Sequence, residues 1–214
     1  LFPASSVGDD IHIYDPENAS ELLMVQHSIR QQSKKAAGIP NIALSDFIAP
    51  RETGVVDYVG GFVVTSGIGI DSKVEAFEAD HDDYNSILLK ALADRLAEAF
   101  AEYLHKKVRT DLWGYAEGEG LGNDELIKEK YRGIRPAPGY PACPDHTEKP
   151  ALFELLNATQ LTGVSLTDSL AMLPTASVSG WYFANEESKY FGVGKIGEDQ
   201  VKSLAERKDL SVEK

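Results

Sequence analysis

A proline-rich strip between Gly133 and Pro150 restricts the fold of this chain more than any other feature. The strip, GIRPAPGYPACPDHTEKP, holds five of the ten prolines of the 214-residue sequence. Each proline fixes φ and removes a backbone donor, so the strip cannot be helical and is held extended. A rigid strip also lowers the ordering cost of presenting side chains to a ligand.

Arg135, Gly139 and Tyr140 are the residues of the strip that could meet a ligand. The Arg135 guanidinium offers paired N–H donors that match a carboxylate. Gly139 permits close backbone approach, and Tyr140 adds a hydroxyl and a ring. The spacing by itself still favours a proline-rich linker with a solvated arginine over a ligand site.

The hydrophobic pattern predicts strands near both ends of the chain and helices between and after them. Strands are predicted at residues 11–14, 21–26, 58–65, 178–184 and 189–195, the last two forming a hairpin. Helices are predicted at residues 27–34, 83–113, 123–130, 151–160 and 198–208, with Asn123 as one cap and Gly163 as one stop. Grouped helices and hairpin-paired strands favour an α+β fold around a largely antiparallel sheet, in a single domain.

The predicted long helix carries large apolar residues spaced by four. They are Leu88, Leu92, Leu96, Phe100, Leu104, Val108 and Leu112. Each step of four residues turns about 400°, so the row winds around the helix and we expect neighbours to cover it on several sides. Asp82 or Asp83 is expected to cap the helix. Glu98 lies on its polar side, where the pattern alone favours an ordinary solvated face.

The charge balance argues against several kinds of partner. With 21 basic and 34 acidic residues the formal charge is −13, which repels nucleic acid and anionic membranes. One cysteine cannot form an internal disulfide, and no apolar run approaches the roughly 20 residues of a membrane span. LFPAS lacks the features of a signal peptide, so we expect a cytoplasmic protein whose two ends are boundaries within a longer polypeptide.

Other motifs give weak support to other chemistry. SGIGI at residues 66–70 lacks the third glycine and the βαβ context of a dinucleotide-binding turn, which disfavours a free-standing Rossmann-type methyltransferase. Cys143 and His146, with His81 elsewhere, do not have zinc-ligand spacing, so we expect no metal site. No GxSxG surrounds a serine, and we expect no catalytic side chain.

Four segments in one order resemble a known family. They are LSDFIAP, HDDYNSILLKALADRLAEAFAEYLH, RGIRPAPGYPACPDHTEKP, and SVSGWYF followed by SKYF. Together they resemble the C-terminal, S-adenosylmethionine-binding activation domain of cobalamin-dependent methionine synthases, over nearly the whole chain. The resemblance implies a bent, largely antiparallel sheet with helices packed around it.

The resemblance also implies a set of S-adenosylmethionine contacts. They are Arg135 at the carboxylate, Ala137 through its backbone, Tyr140 beside the methyl-transfer region, Glu98 facing the sulfonium, and Tyr190 and Phe191 near the nucleoside. A further aspartate contact of the family belongs to a segment before Leu1, and Asp46 is not its equivalent. The resemblance thus implies that residues 1–214 lack the first part of the domain and belong to a larger multidomain enzyme.

The implied role is reactivation of the methyltetrahydrofolate–homocysteine methyltransferase. The module would present the S-adenosylmethionine methyl group for reductive methylation of cob(II)alamin, which another module of the same enzyme holds. A flavodoxin-like donor would supply the electron. The basic stretch of His105, Lys106, Lys107 and Arg109 would either complement the helix dipole or receive this donor. The alternative is a non-catalytic docking or regulatory subunit for a corrinoid protein that does not bind the ligand.

Overall fold

The computed structural model describes residues 1–212, which fall into two compact units. The first unit contains Leu1–Gly60, Gly120–Ala151 and the chain from Trp181 onward. The second contains Gly61–Glu119 and Leu152–Gly180. Both units combine strand and helix, so the predicted α+β class is confirmed.

Seven strands and six α-helices occur in the described residues. The strands are β1 Phe2–Val7, β2 Asp10–Tyr14, β3 Leu22–His27, β4 Asp57–Thr65, β5 Ser165–Leu166, β6 Met172–Leu173 and β7 Ser177–Tyr182. The helices are α1 Asp71–Ala79, α2 Asp83–Lys107, α3 Asn123–Ile127, α4 Lys149–Leu155, α5 Ala158–Thr162 and α6 Glu198–Arg207. A π-helical turn, Val108–Leu112, continues α2.

The main sheet has the strand order β3-β2-β1-β4-β7. β1 pairs antiparallel with β2, with Ala4 opposite Ile13, and with β4, with Phe2 opposite Val59. β1 was not predicted, because FPASSV lacks the β-branched alternation that marks a strand. Its central place is nevertheless consistent with its composition, since residues 3–6 are all buried and all have short side chains.

Two predicted elements are wrong, and each is replaced by irregular backbone. The predicted helix at 27–34 is absent, since His27 ends β3 and residues 28–34 are irregular, and the Gln32 N–H donates to the Val193 carbonyl at 2.7 Å. Residues 189–195 form no strand, because this segment is held partly by side chains: Gln31 Nε2 donates to the Gly192 carbonyl at 3.1 Å. The predicted hairpin with β7 is therefore absent from the described chain.

The smaller helices differ from prediction mainly at their ends. α3 is capped by Gly122 rather than Asn123, and the Gly122 N–H is satisfied by Glu125 Oε2 at 3.1 Å. The end of the proline-rich strip is helical, contrary to prediction, since His146–Glu148 form a 3-10 turn and α4 begins at Lys149, where Pro150 is tolerated in the first turn of the helix. The predicted helix at 151–160 is divided into α4 and α5 at Asn157, whose φ is 48°. Gly163 ends α5 with a φ of 76°, as predicted for a helix stop.

In the second unit α2 packs through small residues. Asp82 caps it by accepting from the Asn85 N–H, as predicted, and Ala93, Ala97 and Ala101 are buried. Alanine allows close approach, so neighbouring elements pack on this side of the helix. The prediction that the large apolar row is covered is wrong for most of its members. Leu88, Leu92, Leu96, Phe100 and Leu112 are exposed.

No α-helix of residues 1–212 has the length and apolar character needed to cross a bilayer.

Candidate functional site

The proline-rich strip is fixed along the end of β7 and is not a free linker. Ile134 and Phe183 exchange two backbone hydrogen bonds of 3.0 Å, and the Trp181 N–H donates to the Pro136 carbonyl at 2.9 Å. Ile134, Trp181 and Phe183 are all buried. The extended backbone that the prolines impose therefore acts as a short antiparallel partner of β7, and this fixes Arg135 between two anchored neighbours.

Arg135 contacts a second residue that the sequence assigned to the site. Its backbone N–H donates to Tyr190 Oη at 3.0 Å, across a separation of 55 residues. Its Nη1 donates to Tyr131 Oη at 3.0 Å, and the side chain is only half-buried. The structure thus brings two predicted contact residues together and holds the guanidinium against Tyr131.

Ala137, Gly139 and Tyr140 form a tight turn after Arg135. The Tyr140 N–H donates to the Ala137 carbonyl at 3.1 Å, and the Gly139 N–H donates to the Cys143 carbonyl at 2.7 Å. Tyr140 and Cys143 form an isolated antiparallel bridge. The turn presents the Tyr140 ring to solvent, with 62% of the residue exposed, while Cys143 is buried.

Tyr190 and Phe191 point into different surroundings although they are not on a strand. Tyr190 is exposed apart from its bond to Arg135. Phe191 is half-buried, and its ring meets Phe47 edge-on with 6.3 Å between ring centroids. The two neighbouring rings therefore divide into a surface ring and a packed ring, and an irregular segment produces this division.

Glu98 lies in the second unit, on α2. It is exposed, and Asp94, Arg95 and Glu102 lie on the same side of the helix by helical spacing. Glu98 thus lies on the charged side of α2, although Glu102 on the same side is only partly exposed.

The chemistry of the strip suits a ligand with a carboxylate and a flat ring system. A guanidinium that is held in place but still partly exposed can pair with a carboxylate. The exposed rings of Tyr140 and Tyr190 supply flat apolar surface with a polar edge. Both features are available without movement of the backbone, because the strip and the turn are already hydrogen-bonded.

Comparison with known proteins gives a consistent result. The family model described as "Vitamin B12 dependent methionine synthase, activation domain" matches residues 1–209. The chain belongs to this family. A solved structure, "Crystal Structure of the MetH Reactivation Domain bound to AdoHcy", is 57% identical with a TM-score of 0.95. The match covers 99% of the present chain and 65% of that chain, so these residues span about two thirds of the length of their relative.

The activation domain contains a buried ionic cluster of Lys208, Asp145 and Glu148, which the sequence did not predict. Lys208, just after α6, places Nζ 2.6 Å from Asp145 Oδ2 and 2.5 Å from Glu148 Oε1. Glu148 also accepts the His27 N–H at 3.1 Å. Asp145 accepts the Thr147 N–H at 2.8 Å and so caps the turn that begins at His146. No local pattern could have paired residues so far apart in the chain.

Burial and pairing shift the titration of this cluster in opposite directions. Burial raises the pKa of Glu148 above its ordinary value, and the Lys208 ammonium offsets only part of this. Burial also acts against ionised Asp145, but hydrogen bonds from Lys208 and Thr147 bring the pKa of Asp145 below its ordinary value. Burial lowers the pKa of Lys208, but the two carboxylates raise it above the ordinary value on balance.

Asp46 has a structural role in the activation domain. Arg30 binds Asp46 through Nη1 at 2.6 Å and binds Asp9 through Nη2 at 2.6 Å. Burial opposes ionisation, but hydrogen bonds from Arg30 and the Ala43 N–H hold the pKa of Asp46 below its ordinary value. Arg30 thus joins Asp46 to Asp9, which is distant from it in the sequence.

The basic stretch at the end of α2 does not present four charges to solvent. Arg109 is fully buried and makes two 2.7 Å hydrogen bonds to the Glu119 carboxylate. His105 is fully buried as well, and Lys107 pairs with Asp111. The interpretation of His105 and Arg109 as donor-docking residues is therefore wrong, and only Lys106 and Lys107 remain available for that role.

Cys143 and His146 have separate local environments. Burial raises the pKa of the Cys143 thiol well above its ordinary value, and Gln26 Nε2 lies 3.9 Å from its Sγ. His146 Nδ1 lies 3.1 Å from Lys149 Nζ. Within residues 1–212, no group of three or more His, Cys, Asp or Glu side chains is arranged to hold a metal ion.

Proposed function

We propose that this activation domain binds S-adenosylmethionine on the proline-rich strip and presents its methyl group for reactivation of a cobalamin-dependent methionine synthase. The observation that carries the proposal is the hydrogen bond between Arg135 and Tyr190, which joins two predicted contact residues from distant segments. It is supported by the structure of the 57% identical reactivation domain, which is bound to AdoHcy.

In the proposed site each residue has a distinct part. Arg135 pairs with the ligand carboxylate, and the backbone of Ala137 meets the ligand beside it. Tyr140 lies beside the methyl-transfer region, while Tyr190 and Phe191 form the nucleoside side of the site. Glu98 faces the positive sulfonium. These residues orient a ligand, and none of them needs to accept or donate a proton.

The rest of the reaction requires groups outside these residues. In reductive methylation the corrinoid supplies the nucleophilic metal, and the protein contributes positioning. We propose that cobalamin is held by another module of the same enzyme and that a flavodoxin-like protein supplies the electron. We further propose that residues 1–214 are one activation domain within a longer methyltransferase, and that they do not make methionine when separated from it.

Calorimetric titration with S-adenosylhomocysteine tests the binding proposal. Arg135→Ala is expected to weaken binding by about 1.5–3 kcal/mol, since a charge-assisted pair is lost, with little change in melting temperature. Arg135→Lys should recover only part of the loss, because lysine lacks the planar fork. Arg132→Ala is the matched control. Arg132 lies three residues before Arg135 and forms an exposed ion pair with Glu186. Equal affinities in the Arg135 and Arg132 variants would refute the anchor.

The alternative, a docking subunit that binds a corrinoid protein and no nucleoside ligand, predicts no heat of binding in the parent chain. The alternative is disfavoured because all the motif residues of the strip are present and the turn that carries them is ordered by hydrogen bonds.

A further inference from the structure

Helix α2 has three different faces, and one of them is both apolar and exposed to solvent. At about 100° per residue, Ala93, Ala97 and Ala101 form the buried face. The charged residues Asp94, Arg95, Glu98 and Glu102 form a second. The third face, here called the leucine face, consists of Leu88, Leu92, Leu96, Phe100 and Tyr103.

The leucine face is large for an exposed surface. Leu92 is 52% exposed, Leu96 61% and Tyr103 57%, and Leu88 and Phe100 are exposed to similar extents. Five large side chains that are each about half exposed offer on the order of 500 Å² of apolar surface. The largest apolar patch on a typical monomer is about 300–600 Å² and often marks an interaction site. Burying this surface is therefore strongly favourable for any complementary partner.

The spacing of the leucine face fits a helix. Leu88, Leu92, Leu96 and Phe100 form a ridge of residues four apart, and such ridges pack into the grooves of a second helix. The ridge contains no charged side chain, which disfavours a polar or ionic partner and favours an apolar one.

The solved reactivation domain contains further residues beyond the part that matches this chain. The matched part has the same fold, with a TM-score of 0.95, and about a third of that chain lies outside the match. We propose that an amphipathic helix from this further part of a reactivation domain packs on the leucine face. The inference rests on the proposal that residues 1–214 belong to a longer enzyme.

Site-specific thiol labelling tests the proposal. Cys143 is the one cysteine of the 214 residues and is buried, so a cysteine introduced at the surface reacts first. Leu96→Cys and Leu92→Cys would be compared with Ser72→Cys, an exposed position on α1 of the same unit. Each would be labelled with a maleimide in the 214-residue chain and in the full-length enzyme, and the modified peptides quantified by mass spectrometry.

A covered face reacts only through local opening, so the Leu96 and Leu92 thiols should be labelled about tenfold or more slowly in the full-length enzyme. The Ser72 thiol should react at the same rate in both. Labelling of Cys143 would reveal that a variant has unfolded. In that case the labelling rate of the other leucine variant tests the proposal. Equal rates at position 96 or 92 in the two chains would overturn the proposal.

A second copy of the chain is the competing occupant. It would protect position 96 in the 214-residue chain in a concentration-dependent manner, and this outcome would also overturn the proposal. Neither result depends on S-adenosylhomocysteine binding. A failure of the proposed function in calorimetry is therefore distinguishable from a failure of the helix assignment.

Discussion

The imidazole ring of His146 lies against the Cα of Gly139. A Cβ built on Gly139 would lie 2.2 Å from His146 Cε1 and 2.6 Å from Nδ1, and Gly139 has a φ of 96°. Glycine is thus required at this point of the turn for two independent reasons. The conformation is one that L-residues rarely adopt, and the space for a side chain is filled by a neighbouring ring.

Gly139→Ala should therefore lose about 1–3 kcal/mol of stability, part from backbone strain and part from the clash with His146. His146→Ala removes the ring and should relieve only the second part. In a double-mutant cycle by urea denaturation, Gly139→Ala should be less costly in the His146→Ala background by about 0.5–3 kcal/mol. Strictly additive values would show that the ring moves aside at no cost.

The different surroundings of Tyr190 and Phe191 predict different losses. Tyr190→Phe keeps the ring but removes the oxygen that accepts from the Arg135 N–H, so it should weaken S-adenosylhomocysteine binding by about 0.5–1.5 kcal/mol. Phe191→Ala removes the contact with Phe47 and should lower the free energy of unfolding by about 1–3 kcal/mol, with less effect on binding. Calorimetry and thermal denaturation of both variants check this, and identical behaviour of the two would contradict the assignment.

Lys208→Met should destabilise the domain in a pH-dependent manner. Without the ammonium, Glu148 is left as a buried carboxylate, at a cost of about 3–5 kcal/mol for breaking such a pair. The pKa of Glu148 is already raised by burial, and it should rise further in the variant. A carboxyl group with a raised folded-state pKa contributes stability at low pH and loses it as pH rises through that pKa.

The stability deficit of Lys208→Met relative to the parent should therefore be largest near neutral pH. It should shrink as pH falls through the raised pKa of Glu148. Asp145 adds to the same trend, because the pKa of Asp145 is lowered in the parent partly by Lys208, and the parent loses this stabilisation on acidification. Urea denaturation of the parent and of Lys208→Met across this pH range measures the deficit. Lys202→Met on α6 is the control, since its pair with Glu198 is exposed and should contribute little at any pH.

Local patterns predicted most of this fold because they depend on neighbours in the chain. The alternation in β2, the Asp82 cap of α2 and the extended proline strip are all set by residues within a few positions of one another. The family motifs are local as well, and so Arg135, Ala137 and Tyr140 could be identified before any contact was known.

Only the tertiary structure decided which surfaces are covered and which charges are paired. β1 is central although its composition is unremarkable for a strand, and residues 189–195 are irregular although they resemble one. α2 buries its alanines and exposes its leucines, an assignment that periodicity alone could not make because both rows recur every four residues. Lys208 with Glu148, Arg109 with Glu119, and Arg135 with Tyr190 were likewise beyond prediction. The physical reason is that burial and pairing depend on which distant segments the packed chain brings together, and a pattern within one segment contains no information about its partner.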